Sequence, residues 1–276
     1  MMKGSNRYIY RIKPYVPKGI WRLLTAPYWW WYNRAQHQLA GFFTRKRRDS
    51  IHAIQAYSDR HKGKRCFILG NGPSLQITNL GLLKNEFTFG LNRIYLHFPD
   101  MGFQTSYYVA VNTLVIDQCA NEIMALDLPR FVSWRGRKWL RHDADVMFLD
   151  TDYTDPPTFS TDVTGRVYEG STVTYVALQL AYYMGFEEAI LIGVDHSFVT
   201  KGTPNVTVVS DGEDPNHFSK EYFGKGFRWQ LPDLEASEQA YIMAREAFES
   251  SGRRVLDATI GGKLTIFPKV DYGDLF

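Results

Sequence analysis

A short apolar run closed by glycine, Cys66-Phe67-Ile68-Leu69-Gly70, is the feature that most narrows the folds open to this chain. Continuous apolar runs of this length, bounded by turn formers, suit strands covered on both faces, and such strands belong to parallel sheets. The unit recurs: runs at about 87–91 (FTFGL), 107–111 (YYVAV), 130–134 (RFVSW), 146–149 (VMFL), 189–194 (AILIGV) and 254–257 (RVLD) predict further strands. Helices are predicted at about 113–125, 171–184 and 233–251, and a short one over 49–62, where Ile51, Ile54 and Tyr57 fall at helical spacing. Strands alternating with helices predict an α/β fold: a single Rossmann-like domain with a mostly parallel sheet flanked by helices. A chain of 276 residues without internal repeats suits one such core and an extension. We divide it into an N-terminal extension, 1–62, and a domain, 63–276. Residues 151–168, rich in Asp, Thr and Pro, read as a loop. The long irregular stretch 197–232 reads as a lid, because loops of that length inside compact domains tend to serve a site.

The net charge of +3 hides an asymmetry. Residues 1–50 carry eleven Lys and Arg against the single acid Asp49, so the remainder is acidic. Among those basic groups sit Trp21, the cluster Trp29-Trp30-Trp31-Tyr32, Phe42 and Phe43. Indoles settle at the headgroup level of a bilayer while Lys and Arg pair with anionic lipid, so this arm reads first as a membrane-surface contact and second as a segment packing on a partner or on the domain. Nucleic acid is not expected, since no binding fold surrounds the basic residues. No apolar run approaches the length of a spanning helix, and no apolar stretch ends in a small-residue cleavage site. The two cysteines, Cys66 and Cys119, lie in apolar runs without metal-ligand spacing and read as reduced core residues. The expected location is cytoplasmic, peripheral at the inner face of the membrane, with oligomeric state left open.

Chemistry concentrates where predicted strands end. The loop Gly70-Asn71-Gly72-Pro73-Ser74-Leu75 offers glycines for a tight turn and close ligand approach, and Pro73 can open a helix whose free amides attract phosphate. It lacks the Gly-Lys-Ser/Thr ending of a P-loop and the third glycine of the dinucleotide fingerprint, and Asn92 stands where a ribose-binding acid would be expected, which argues against nicotinamide cofactors. Asn71, Asn92 and Asn112 each follow a predicted strand, so three carboxamides are expected to converge at the sheet's carboxyl edge, unless each closes a turn. Gly170-Ser171-Thr172 precedes a helix and supplies either exposed amides for phosphate or a plain cap. Asp195 ends the strand at 189–194 and reads as a ligand-orienting group, a magnesium ligand or a turn cap. His217, loop-borne in Asp214-Pro215-Asn216-His217-Phe218, reads as a general base for an acceptor hydroxyl, against a structural role.

The run ILGNGPSLQITNLGLLKNEFTFGLNRIY resembles the opening of the bacterial sialyltransferases of glycosyltransferase family 42. It is also similar to the broader group of flagellin-modifying Maf proteins, the domain of unknown function 115 and 6-hydroxymethylpterin diphosphokinase-like enzymes. Ser171 through GFEEAILIGVD to Asp195 and the Asn216-His217-Phe218 segment extend the likeness over residues 64–258. The resemblance implies a CMP-linked, sialic-acid-like sugar donor cradled by Asn71, Gly72, Ser74, Asn92, Asn112 and the Ser171-Thr172 turn, with His217 as base and no metal required. After Asp195 the chain departs from the sialyltransferases, lacking counterparts of the tyrosines that serve the leaving phosphate there. The leading reading is a glycosyltransferase acting on a surface glycan, lipid-linked or protein acceptor. A pyrophosphoryl transferase using ATP and magnesium, with Asp195 or the Asp211 to Asp214 acids as ligands, is the alternative, and a nucleotide-binding scaffold without catalysis is the third.

Overall fold

The computed structural model describes residues 44–153, 158–200 and 202–276. The readings of residues 1–43 as a membrane or partner arm lie outside them. The chain forms two units, Met1–Arg48 and Asp49–Phe276. The segment after helix α1 (Arg45–Gln55) is tied into the second unit's core. Ile54 is fully buried, and the Asp59 and His61 amides donate to the carbonyls of Tyr183 (3.0 Å) and Met184 (2.8 Å).

Eight strands among the described residues form one sheet: β1 (Arg65–Leu69), β2 (Phe87–Leu91), β3 (Tyr107–Ala110), β4 (Arg130–Ser133), β5 (Val146–Asp152), β6 (Arg166–Tyr168), β7 (Glu188–Ile192) and β10 (Arg254–Asp257). Their spatial order is β10-β7-β1-β2-β3-β4-β5-β6, and every pairing is parallel. Helices α2 (Phe98–Met101), α3 (Thr113–Gln118), α4 (Ala120–Met124), α5 (Val173–Tyr183) and α6 (Leu234–Ser250) make the connections with several 3-10 turns. The predicted 113–125 helix is broken at Cys119, whose φ of −117° and ψ of 21° lie outside the helical region.

The apolar reading of the central strands holds: Cys66 to Leu69 and Ala189 to Ile192 are all inaccessible to solvent. Helix α5 packs on β1, β2, β3 and β6 with one face and on α6 with the other, which is why nearly all of its residues are buried rather than one stripe. Two predicted loops hold strands that their sequences do not advertise. β6 is a three-residue edge strand inside 151–168, and the lid contains an antiparallel pair, β8 (Thr207–Val209) with β9 (Arg228–Gln230). The chain leaves β1 toward β2 and returns to β7 on its other side. That reversal puts a crevice at the carboxyl ends of β1 and β7, where open α/β sheets bind ligands. No helix among the described residues is long and apolar enough to cross a membrane.

Candidate functional site

Lid residues and the strand ends together line a half-open cavity of about 260 Å³ in the crevice, just under the roughly 300–1,000 Å³ common for small-molecule sites. Asn71, Asn92 and Asn112, the residues that follow β1, β2 and β3, all line it, as do Gly70, Gly72, Ser171, Thr172, Asp195 and His217. Pro73, Ser74 and Gly170 do not.

The β1 loop is held by bonds within the protein rather than offered to an anion. Gly70 N donates to Ile192 O (2.8 Å), Gly72 N to Gly193 O (2.9 Å) and Ser74 N to Asp195 Oδ1 (3.1 Å). The Ser74 hydroxyl donates to Asp195 Oδ2 (2.7 Å), so both oxygens of this carboxylate hold the loop. Pro73 opens only a five-residue 3-10 turn, and the expectation of free amides there is corrected: they are already satisfied. Gly70 and Gly72 are needed because β7 lies against them; a Cβ on Gly70 would sit 2.2 Å from Gly193 O, and one on Gly72 1.9 Å from Asp195 Oδ2. Gly170 is likewise a packing residue, since a Cβ there would fall 2.5 Å from that of Ala240 and 2.6 Å from the Tyr175 ring.

The three asparagines do different work. Asn71 gives its amide to Leu91 O at the end of β2 (3.0 Å) and its backbone carbonyl accepts from Phe218 N of the lid (2.9 Å). Its Oδ1, like that of Asn92, is buried without a partner among the described residues. Asn112 is largely committed: Oδ1 caps α3 by accepting from Leu114 N (2.8 Å), and its amide donates to Gln230 of β9 (3.2 Å). The turn-closing alternative thus describes Asn112, whereas the Oδ1 atoms of Asn71 and Asn92 are buried without a partner among the described residues. A buried acceptor without a donor costs about 1–3 kcal/mol. Backbone strain gathers here too. Asn92, Ser171 and His196 line the cavity at φ of 48°, 58° and 53°, left-handed values that disfavour side chains by roughly 1–2 kcal/mol each and that cluster at ligand sites.

His217 enters from the lid. Its Nδ1 lies 2.8 Å from Asp214 Oδ2, and Asp214 Oδ1 accepts from Asn216 N (3.0 Å). A carboxylate on Nδ1 fixes the proton there, leaving Nε2 of the neutral ring with its lone pair. The imidazole is clamped flat against Tyr222, the centroids 3.9 Å apart at 6°, with the Phe223 edge beside it. Tyr222 is itself fixed: Arg93 N donates to its hydroxyl (3.3 Å), and burial pushes its pKa above the ordinary value.

Two ionisable residues of the wall escaped the sequence reading. Glu169, nearly inaccessible, accepts from Arg135, whose guanidinium also lies 4.3 Å over the Tyr153 ring. Burial raises the Glu169 pKa, opposed by Arg135, Thr151 and Tyr153. His196 pairs with Glu238 of α6 (2.8 Å). A lone acid just ahead of a Gly-Ser-Thr cap was the available signal for Glu169. Its partner, 34 residues earlier, was not available to local reading. Among the described residues, no group of three or more His, Cys, Asp and Glu has metal-site geometry.

A family model described as 6-hydroxymethylpterin diphosphokinase MptE-like matches residues 43–201, more than half of the chain. The chain belongs to the MptE-like family. This agrees with the resemblance carried by the Gly70 to Leu75 loop. The matched span holds β1 to β7, the three asparagines and Asp195, and it stops before His217. Among solved structures, this MptE-like chain is similar to a Maf glycosyltransferase from Magnetospirillum magneticum AMB-1. The identity is 14%, over 83% of this chain and 39% of that one, with a TM-score of 0.49. It thus spans well under half the length of that protein. No curated protein matches it.

Proposed function

We propose that this MptE-like protein is a glycosyltransferase that takes a sugar from a nucleotide-linked donor held at the ends of β1, β2 and β7 and passes it to an acceptor hydroxyl. The observation that carries the reading is the His217–Asp214 pair, with His217 in the wall of a cavity that Asn71 and Asn92 also line. Neutral carboxamides suit the hydroxyls of ribose and the edge of a base, and at the start of α5, where the Thr172, Thr174 and Tyr175 amides are bonded within the protein, the amide of Val173, a residue of the cavity wall, is left for a phosphate. In the transfer, the acceptor oxygen bonds to the anomeric carbon and its proton passes to His217 Nε2. The bond from that carbon to phosphate breaks, and the nucleotide leaves with the electron pair. Asp214 keeps the ring in the right tautomer and stabilises the imidazolium that forms. A CMP-linked donor and a role at the membrane's inner face remain parts of this proposal.

The family's description favours a second reading, pyrophosphoryl transfer from ATP with magnesium. The residues present fit that metal less well, because Asp195 spends its oxygens on Ser74 and Asp214 spends its own on Asn216 and His217. Thermal shifts with CMP, CDP, UDP, GDP and ATP, each with and without magnesium, separate the two. Metal-independent stabilisation by the free nucleotide of a sugar donor is expected. Stabilisation by ATP with magnesium alone would replace glycosyl transfer with the second reading.

A further inference from the structure

Two histidines line the cavity, and each is held by a carboxylate at one ring nitrogen. His217 of the lid is bonded at Nδ1 and keeps Nε2. His196, just past the end of β7, is bonded at Nε2 by Glu238 (2.8 Å) and keeps Nδ1. The His196 side chain is only 8% exposed. Its Nδ1 nevertheless has no partner among the described residues and, unlike Nδ1 of the buried His61, is not sealed from solvent. Glu238 is not a residue of the cavity wall, so the ring runs from that carboxylate to the cavity. The left-handed φ of 53° at His196 is a conformation that a side chain adopts at a cost and that gathers at ligand sites.

The rest of the wall lacks fixed positive charge. Among the described residues that line the cavity there is no Lys or Arg, and the carboxylates are engaged: Asp195 by Ser74, Glu169 by Arg135, and Asp233 by Ala236 N (3.1 Å) and Asn205 (3.3 Å). The two histidines are therefore the wall side chains that can carry a cation to a phosphate. Of the two, His196 stands on the side where the donor is read to sit. Its ring meets the edge of Tyr241, the centroids 6.3 Å apart, and the Tyr241 hydroxyl lies 3.4 Å from Thr172 Oγ1 at the start of α5. One tyrosine thus spaces His196 from the helix end whose Val173 amide is left for a phosphate.

We infer that Nδ1 of His196 binds the phosphate of the nucleotide-linked donor and steadies that group as it leaves. The inference rests on the glycosyl-transfer reading above and deepens it by adding a second residue that touches substrate. With phosphate bound, the ring donates from both nitrogens, Nε2–H to Glu238 and Nδ1–H to a phosphate oxygen, so it acts as the imidazolium. When the bond from the anomeric carbon to the phosphate oxygen breaks, that oxygen keeps the electron pair and Nδ1 keeps its proton. The histidine stabilises the growing charge without giving the proton up. His217, bonded at its other nitrogen, is left to take the proton of the acceptor.

The experiment is a set of calorimetric titrations of the full chain, without magnesium, with CMP, UDP and GDP and with cytidine, uridine and guanosine. At least one nucleotide is expected to bind about 10-fold or more tightly than its nucleoside. His196→Gln puts an amide where Nε2 stood, so the Glu238 bond stays and Nδ1 is lost. It should cut the advantage of nucleotide over nucleoside by about 10-fold while nucleoside affinity holds. His196→Asn puts an amide where Nδ1 stood and should keep that advantage within about 3-fold of the parent's. An advantage that survives His196→Gln, or a loss shared equally by nucleotide and nucleoside in a variant that melts like the parent, would overturn the inference and leave the transferase reading standing. So would equal losses of the advantage in the two variants, or a parent that binds nucleotide and nucleoside alike. Absence of binding by every nucleotide would overturn the transferase reading itself, and this inference with it.

Discussion

Gly70→Ala tests whether the β1–β7 junction is the physical basis of the site. The added methyl would lie 2.2 Å from Gly193 O and 2.6 Å from Gly193 C, both backbone atoms, so no rotamer change relieves the contact. Reaching ordinary separation requires the ends of β1 and β7 to part by roughly 1 Å. That movement stretches two buried bonds, Gly70 N to Ile192 O and Gly72 N to Gly193 O, now 2.8 and 2.9 Å long. Overpacking of this kind costs about 1–3 kcal/mol and each weakened buried bond about 1 kcal/mol, for a loss of about 3–5 kcal/mol. For a domain of this size each kcal/mol lowers Tm by about 2–4 °C, so a drop of roughly 6–20 °C is expected. Nucleotide binding should fall with it, because Asn71 moves with the strand end. Gly165→Ala is the control, since its Cβ would meet nothing nearer than 3.7 Å. Circular-dichroism melts of the two variants decide the matter: a Gly70→Ala Tm within about 2 °C of the parent would refute the claim that close backbone approach builds this crevice.

His217→Ala should lower the transfer rate by at least about 100-fold while donor affinity changes little, read from initial rates and titration; unaltered turnover would remove His217 from the chemistry. Asp214→Asn should keep the ring in place but lose much of that rate, because an amide no longer enforces the Nδ1–H tautomer. Asn92→Gly should leave Tm nearly unchanged, since glycine adopts the 48° φ freely, yet weaken donor binding by roughly 10-fold through loss of the carboxamide. His61 governs acid stability. Buried among Phe87, Phe186 and Tyr107, its pKa falls from 6.5 to about 4, through desolvation first and then Lys64 and Arg60. The folded state thus binds fewer protons than the unfolded one between those values, and stability present above pH 6.5 declines toward pH 4 by up to about 3 kcal/mol. Urea unfolding at pH 7.5 and 4.5 should show that part of the loss vanish in His61→Gln.

The sheet was legible because its strands are buried on both faces, which forces runs such as Cys66 to Leu69 to be apolar throughout. The lid strands were not, since β8 is mostly exposed and β9 only partly covered, so no apolar signal marks either. The convergence of Asn71, Asn92 and Asn112 followed from parallel-sheet geometry alone: each stands just past a strand end, and all such ends share an edge. What each asparagine does was illegible, because it depends on partners far along the chain, Gln230 for Asn112 and Phe218 for Asn71. The same distance hid the work of Asp195, whose partner Ser74 lies 121 residues earlier.

These long-range ties explain how a lid of mixed composition holds His217 in a fixed place. Phe218, next to His217, donates its amide to Asn71 O, and Gln76 of the β1 loop donates to Phe218 O (2.5 Å). Arg93, just after β2, reaches Tyr222, the ring on which His217 lies, and Gln118 of α3 both accepts from Arg228 N and donates to Arg228 O at 2.8 Å. The lid is therefore fastened at the ends of β1 and β2 and on α3 beyond β3. The asparagines that line the cavity and the residues that position His217 stand on one continuous frame. A base spaced by that frame holds its distance from a donor bound to the same strand ends, and fixed spacing is what converts binding into rate.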